Sequence, residues 1–311
     1  MRKRAFAPTR CLHLYYPRVT TRTYKGADMS STVVFDRRVE KGLLSSSNPA
    51  DIFPNWKGSE ERWLFLSPHD DDIICGCGLT FIASLFCGIK TFAGVVTNGK
   101  MGYCAPEERE TIADVRRNEC VDSFTTLGLP KENLFFLNHD DGSLNQQAGR
   151  RFATGAAGEG PAIAGGAGVQ NSLVWLFRQT RPTRLFVPSI TDLHPDHKFT
   201  NSETMISIFH AQGTIWPELG EPIPEIPAIY EYATYSNFIT PPQIRTRVSE
   251  DLFERKINGI LQYKSQKQID LTIKIQRENG TEEFIREAEF DIFVPQRCKD
   301  LFAAAAAGND Q

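Results

Sequence analysis

The chain has 311 residues, 41% of them hydrophobic and 23% charged, with a formal net charge of −3. These proportions exclude a wholly disordered or fibrous chain, and the length is enough to bury a core without disulfides or a structural metal. The small negative charge gives no global pull toward nucleic acid or an acidic membrane. Seven scattered cysteines without a repeated C-x-x-C spacing read as a reduced, cytoplasmic setting, not a disulfide framework or a zinc finger.

The chain opens with Arg2, Lys3, Arg4, Arg10, Arg18, Arg22 and Lys25, and no acid precedes Asp28. No apolar h-region follows, so this is not a secretory signal. The expectation is a flexible basic extension over residues 1–55, with a faint presequence character and Met29 as an alternative start. A single domain is expected over residues 56–300 and a tail over 301–311. Trp63 to Leu66 reads as a buried strand. The uncharged run Ile73 to Ile89 reads as a core helix, because several glycines interrupt it and it falls short of the ~20 residues a membrane span needs. Lys90 to Thr97 is a second strand, closed by Asn98-Gly99. Pro106, Glu107 and Glu108 open a long helix that Gly128 ends, with apolar positions at Ile112, Val115, Cys120, Phe124 and Leu127. Leu134 to Leu137 and Leu185 to Val187 are further short strands, the latter preceded by a helix over Val169 to Gln179. The Gly/Ala-rich stretch 153–168 reads as a mobile surface loop. Ala228 to Tyr235 is another strand. The alternation argues for an α/β fold on a mainly parallel sheet, in which ligands bind outside the carboxyl ends of the strands.

Two clusters sit at such strand ends. His69-Asp70-Asp71-Asp72 follows the first strand, and His194-Pro195-Asp196-His197 follows Leu185 to Val187 and opens a helix toward His210. Either alone reads as a polar turn or helix cap. Together they supply an open zinc site, which needs three N/O ligands and a vacant position. With His69, Asp72 and His197 as ligands, one carboxylate leaves the metal net positive, able to acidify bound water and polarise a carbonyl. His194 and Asp71 then remain as acid/base groups, as amide hydrolysis requires. A two-metal phosphoesterase would need more carboxylates than Asp140 and Asp141 add. Cys75-Gly76-Cys77-Gly78 lacks a full dinucleotide fingerprint, and three aspartates would repel a pyrophosphate.

Ser67-Pro68-His69-Asp70-Asp71-Asp72 resembles the P-H-P-D-D-E signature of the PIG-L/LmbE-like zinc-dependent de-N-acetylases. Thr191 to His197 (TDLHPDH) is similar to that family's second signature. Val96 to Gly99, the Arg116-Arg117-Asn118-Glu119…Leu127-Gly128 helix, Asp141-Gly142, Ile229 to Tyr232 and Tyr263 to Gln266 resemble its other features in the same order. The resemblance covers residues 62 to 267 and implies a Rossmann-like three-layer sandwich. It also implies one zinc per chain on His69, Asp72 and His197, other divalent ions being compatible, with Asp71 as the base for metal-bound water. His194 would be a positively charged oxyanion stabiliser and Asp196 would orient a histidine. Arg116 would face substrate, unless it only pairs with Glu119 one helical turn on. Asp141 would contact a sugar hydroxyl or support the site, unless it is a plain turn carboxylate. Two departures stand out: Asp70 replaces the usual proline and Ile73 the usual acid. His139 reads as structural.

The implied activity is removal of the N-acetyl group from an N-acetylglucosamine-type sugar or small glycoside. The alternatives are an amidase on another N-acyl substrate (a thiol conjugate or a glycolipid) and a non-catalytic sugar-binding protein. The partner expected is a small amino-sugar substrate, with no nucleic acid and no membrane span, and homo-oligomerisation is left open.

Overall fold

The computed structural model describes residues 32–102, 104–290 and 294–308. The basic stretch through residue 27 lies outside them. The chain begins with the hairpin β1 (Val33–Val39) and β2 (Gly42–Ser46). There follow β3 (Arg62–Ser67), α1 (Asp72–Phe86), β4 (Lys90–Thr97), α2 (Ile112–Leu127) and β5 (Leu134–His139). Three two-residue strands come next, β6 (Arg151–Phe152), β7 (Ala162–Ile163) and β8 (Gly166–Ala167), then α3 (Val169–Thr180), β9 (Arg184–Pro188), α4 (Pro195–Gln212) and β10 (Ala228–Tyr232). The chain closes with β11 (Ile244–Val248), α5 (Glu250–Ile260), α6 (Ile269–Asn279), β12 (Glu282–Ala288) and α7 (Pro295–Gly308). Among the described residues, no helix is long and apolar enough to cross a membrane.

The main sheet runs β2-β1-β11-β12-β10-β9-β3-β4-β5. From β10 to β5 all neighbours are parallel, and from β2 to β12 all are antiparallel. In the parallel half the chain starts at β3, steps outward through β4 and β5, then returns to place β9 on the other side of β3. The loops after β3 and β9 therefore diverge from adjacent strands, which opens the crevice where such sheets bind ligands. Trp63 and Phe65 face the core under α1, α2 and α5, and Leu64 and Leu66 face the one under α3 and α4. This alternation is the two-residue period of a strand covered on both faces.

α1 is broken at Cys77 (φ −147°, ψ 28°). The Glu283 carboxylate on β12 accepts the freed Leu79 and Thr80 N–H groups at 2.7 and 3.2 Å, as an N-cap for the second half. Lys256 of α5 neutralises Glu283 at 2.6 Å, and Gln276 Nε2 donates to the Cys75 carbonyl at 3.1 Å.

Three expectations are corrected. The folded domain starts in β1 and not at residue 56: Phe35 is fully buried, and Asp36 joins β1 to β11 through Arg245 and Arg247. The long helix starts at Ile112, after a separate 3-10 turn over Pro106–Glu108, and Val115 is exposed. Stretch 153–168 is not a plain loop, because β7 and β8 pair within it and Ala167 is buried. Gly128 does end α2, in the left-handed region at φ 97°.

Candidate active site

The β3–α1 loop is held from several sides. The Ser67 hydroxyl donates to the His69 carbonyl and accepts the Ile73 N–H at 3.2 Å. The Pro68 carbonyl accepts the Thr97 N–H at 3.0 Å, and the Asp70 carbonyl accepts the Tyr263 hydroxyl at 2.6 Å. These bonds leave the side chains of residues 69–72 little freedom.

The β9–α4 loop is fixed by Asp192, which is fully buried. Its carboxylate accepts the His194 N–H at 3.0 Å and the Tyr235 N–H at 3.2 Å, and lies 3.3 Å from His197 Nδ1. Pro195 occupies the first turn of α4 as expected. His194 is the N-cap residue, its Nδ1 accepting the Asp196 N–H at 3.2 Å. That bond puts the proton of the neutral ring on Nε2.

The two loops bring three donor atoms together. Asp72 Oδ2 is 3.1 Å from His69 Nδ1 and 3.1 Å from His197 Nε2, and the two nitrogens are 3.3 Å apart. Ligands at zinc distances around a tetrahedral ion stand about 3.3 Å from one another, so this triangle fits such an ion. Burial would raise the Asp72 carboxyl, but His197 and His69 hold it well below its ordinary range. His69 itself is pushed well above 6.5: burial works against its charge and Asp72, Asp141 and Asp196 outweigh it. His194 contributes a third ring, and its nitrogen lies within 4.8 Å of those of His69 and His197.

The opposite edge of His69 meets carboxylates. Nε2 is 3.1 Å from Asp141 Oδ1 and 3.4 Å from Asp196 Oδ2. Asp141 Oδ2 accepts the Met101 N–H at 3.0 Å, and Asp196 accepts the Gly142 N–H at 2.8 Å. A ring that donates its outer N–H to a carboxylate keeps the other nitrogen free for a metal and makes it more basic. Asp196, expected to orient a histidine, lies beside His69. Asp141 lies on the cavity wall, with one oxygen facing His69 and the other accepting the Met101 N–H, so it braces His69.

Arg116 lines the cavity, and the alternative of a pairing with Glu119 is corrected. It is 5% exposed, and it does not pair with Glu119, whose carboxylate accepts the Ser265 N–H and hydroxyl at 2.8 and 2.7 Å. Arg116 forks onto Asp70, with Nε donating to Oδ2 at 3.1 Å and Nη2 to Oδ1, while Nη1 donates to the Gly99 carbonyl at 3.1 Å. Nη2 lies 3.7 Å from Asp71 Oδ1. Burial pushes the Asp70 carboxyl up to about 7 against the pull of Arg116. Burial, with Asp72 adding to it, also raises Asp71 despite Arg116. The positive charge expected on His194 is not supported, since burial and the neighbouring His69 and His197 push it below 6.5. His139 stands apart, bonded to Gln147 at 2.6 Å and Ser172 at 2.9 Å.

A cavity of about 300 Å³ opens over this centre, lined by His69, Asp71, Arg116, Asp141 and His194, together with Met101, Tyr235, Gln266 and Gln268. Asp192 and Tyr235 escaped the sequence reading. Asp192 was legible as the first acid of the T-D-L-H-P-D-H stretch, whereas Tyr235 lies beyond β10 and carried no signal.

Residues 64–208 match the PIG-L family, described as GlcNAc-PI de-N-acetylase. They are a PIG-L family domain. No curated protein matches the chain by sequence. Three solved structures share the fold over about three quarters of this chain. A conserved protein from Thermus thermophilus is 23% identical, with TM-score 0.54 over 75% of this chain and 97% of that one. N,N'-diacetylchitobiose deacetylase from Pyrococcus horikoshii is 22% identical, with TM-score 0.54 over 73% and 84%. The 4-carboxy-2-hydroxymuconate hydratase from Pseudomonas putida is 14% identical, with TM-score 0.56 over 75% and 98%.

Proposed function

We propose that this protein is a metal-dependent hydrolase that removes the N-acetyl group from an N-acetylglucosamine-type sugar or small glycoside. The hydratase among the structural neighbours means that fold alone does not select the chemistry. What carries the reading is the donor triangle of His69, Asp72 and His197, beside a cavity that Asp71 and His194 also line. Two imidazoles and one carboxylate suit zinc and accept other divalent ions. A metal held there supplies Lewis acidity, polarising the amide carbonyl and making water a better nucleophile.

The chain's own groups do the rest. Asp71 accepts the proton of the attacking water; its raised pKa makes it a stronger base than an ordinary carboxylate and then a usable acid. His194 donates its Nε2–H to the carbonyl oxygen as negative charge develops, and a neutral ring suffices for that bond. Water oxygen joins the carbonyl carbon, the C–N bond breaks, and Asp71 returns its proton to the departing amine. The products are acetate and the free amino sugar.

The test is amine and acetate release by the zinc-loaded full chain from N-acetylglucosamine and N,N'-diacetylchitobiose, with Asp71→Asn alongside. Equal amounts of both products from wild type, lost in Asp71→Asn with zinc still bound, are expected. Bound zinc without product on either sugar overturns the amino-sugar reading and leaves a different N-acyl substrate or a binding role.

A further inference from the structure

Asp70 stands where the PIG-L pattern has proline, and its carboxylate grips the guanidinium of Arg116. Both side chains are buried. The guanidinium is walled by backbone: a Cβ on Gly102 would stand 2.8 Å from Arg116 Cδ, and one on Gly99 would stand 3.4 Å from Nε. Among the described residues, Arg116 is the one permanent cation on the cavity wall. Lys100, nearby in sequence, is taken by Asp140 at 2.7 Å. The other charged groups facing the cavity are the carboxylates of Asp71 and Asp141, with Asp72 and Asp196 behind His69.

An arginine on a binding-site wall is ordinarily the best fork for a phosphate or carboxylate. Here the fork is filled from within the chain. An anionic substituent would have to displace Asp70 and strand its buried charge, and it would meet Asp71 and Asp141 on the way. We infer that Asp70 is a specificity-determining residue that closes the Arg116 fork, so that the site takes uncharged N-acetyl sugars and rejects those carrying a phosphate or carboxylate. This rests on the amino-sugar reading of the cavity. The Asp70 side chain bonds none of the proposed ligands and reaches the base Asp71 through Arg116, 3.7 Å from it, an effect common to both members of a matched substrate pair, so the ratio within a pair reads substrate choice.

The experiment compares matched pairs on the zinc-loaded full chain. Calorimetry gives the affinities of the amine products glucosamine and glucosamine 6-phosphate, and amine release gives kcat/KM for N-acetylglucosamine and its 6-phosphate. Wild type is expected to favour the neutral member by about tenfold or more, mostly in KM. Asp70→Asn frees the fork and shifts the ratio toward the phosphate by about tenfold, whereas Asp70→Glu keeps the wild-type ratio. A merely structural Asp70 would weaken both members alike. Equal or tighter wild-type binding of the phosphate, binding of neither sugar, or an unchanged ratio in folded Asp70→Asn overturns the inference. If the Asn variant does not fold, the wild-type pair and Asp70→Glu decide. Discriminating binding without any amine release keeps the inference and sinks the hydrolase reading instead.

Discussion

Asp192→Asn is the most informative single change, because it alters no proposed metal ligand. Two N–H groups donate to Asp192, that of His194 at 3.0 Å to one oxygen and that of Tyr235 at 3.2 Å to the other, and His197 Nδ1 faces the second oxygen at 3.3 Å as an ion pair. An asparagine keeps one oxygen. The better orientation leaves that oxygen toward His197 and Tyr235 and turns the amide NH2 against the His194 N–H. One buried donor is then unpaired, which costs about 1–3 kcal/mol of stability in the metal-free protein. The loss of charge behind His197 makes its ring a weaker ligand, and removing such a supporting carboxylate typically lowers metal affinity about 10- to 100-fold. Chelator competition gives the zinc Kd, and thermal unfolding with and without zinc separates the two effects. The variant is expected to melt lower in both states, with the larger drop when zinc is present. A zinc Kd within about twofold of wild type, in a folded variant, would refute the idea that His197 is a ligand braced by Asp192.

Arg116→Met leaves Asp70 buried without its partner, a loss of about 3–5 kcal/mol. The Asp70 carboxyl already sits at about 7, and losing Arg116 raises it further. Below about 7 both folded proteins hold Asp70 protonated, so the deficit should be constant there and grow as pH rises above that value, where only wild-type Asp70 ionises within the fold; a deficit independent of pH across that range would contradict the burial of the pair. His197 is lifted from 6.5 to about 9, its burial overcome by Asp72 and Asp192. The stability from this proton is full below 6.5 and disappears as pH rises through about 9. Zinc must displace this proton and the one held on His69, so its affinity should climb by more than about tenfold per pH unit over that window, and a flat profile would argue against His197 as a ligand. Glu283→Gln strips the charge from the cap of the second half of α1 and leaves Lys256 buried with a neutral partner. Hydrogen exchange should quicken over residues 78–86, and unchanged protection there would show that the break at Cys77 needs no cap.

The parallel half of the fold was legible because its strands are buried on both faces and read as apolar runs. Trp63 to Leu66 and Leu185 to Val187 are such runs, and their adjacency in the sheet joins the two histidine clusters. The antiparallel half was not legible. β11 reads IRTRV and β12 reads EEFIREA, and β2 is largely exposed. Their charges look like loop residues until Arg245 is seen between Asp36 and Glu282. Within the site, His69, Asp72 and His197 were visible from two short motifs, because ligands at strand ends need only the strands to be neighbours. The partners that Arg116 and Asp141 find inside the fold were not visible. Their partners Asp70 and His69 lie 46 and 72 positions away, and no local spacing reports which donors a folded chain has already filled. The neutral ring of His194 follows from an N-cap bond to Asp196, which motif reading does not resolve.

The most direct measurement of the central claim is a zinc titration of chelator-stripped protein, followed by amine release from N-acetylglucosamine. The account predicts no activity without metal and a rise to a plateau at one zinc per chain. It also predicts equal zinc binding with no amine release in Asp71→Asn. Full activity in the stripped protein, or a plateau reached only at two zinc ions per chain, would contradict it.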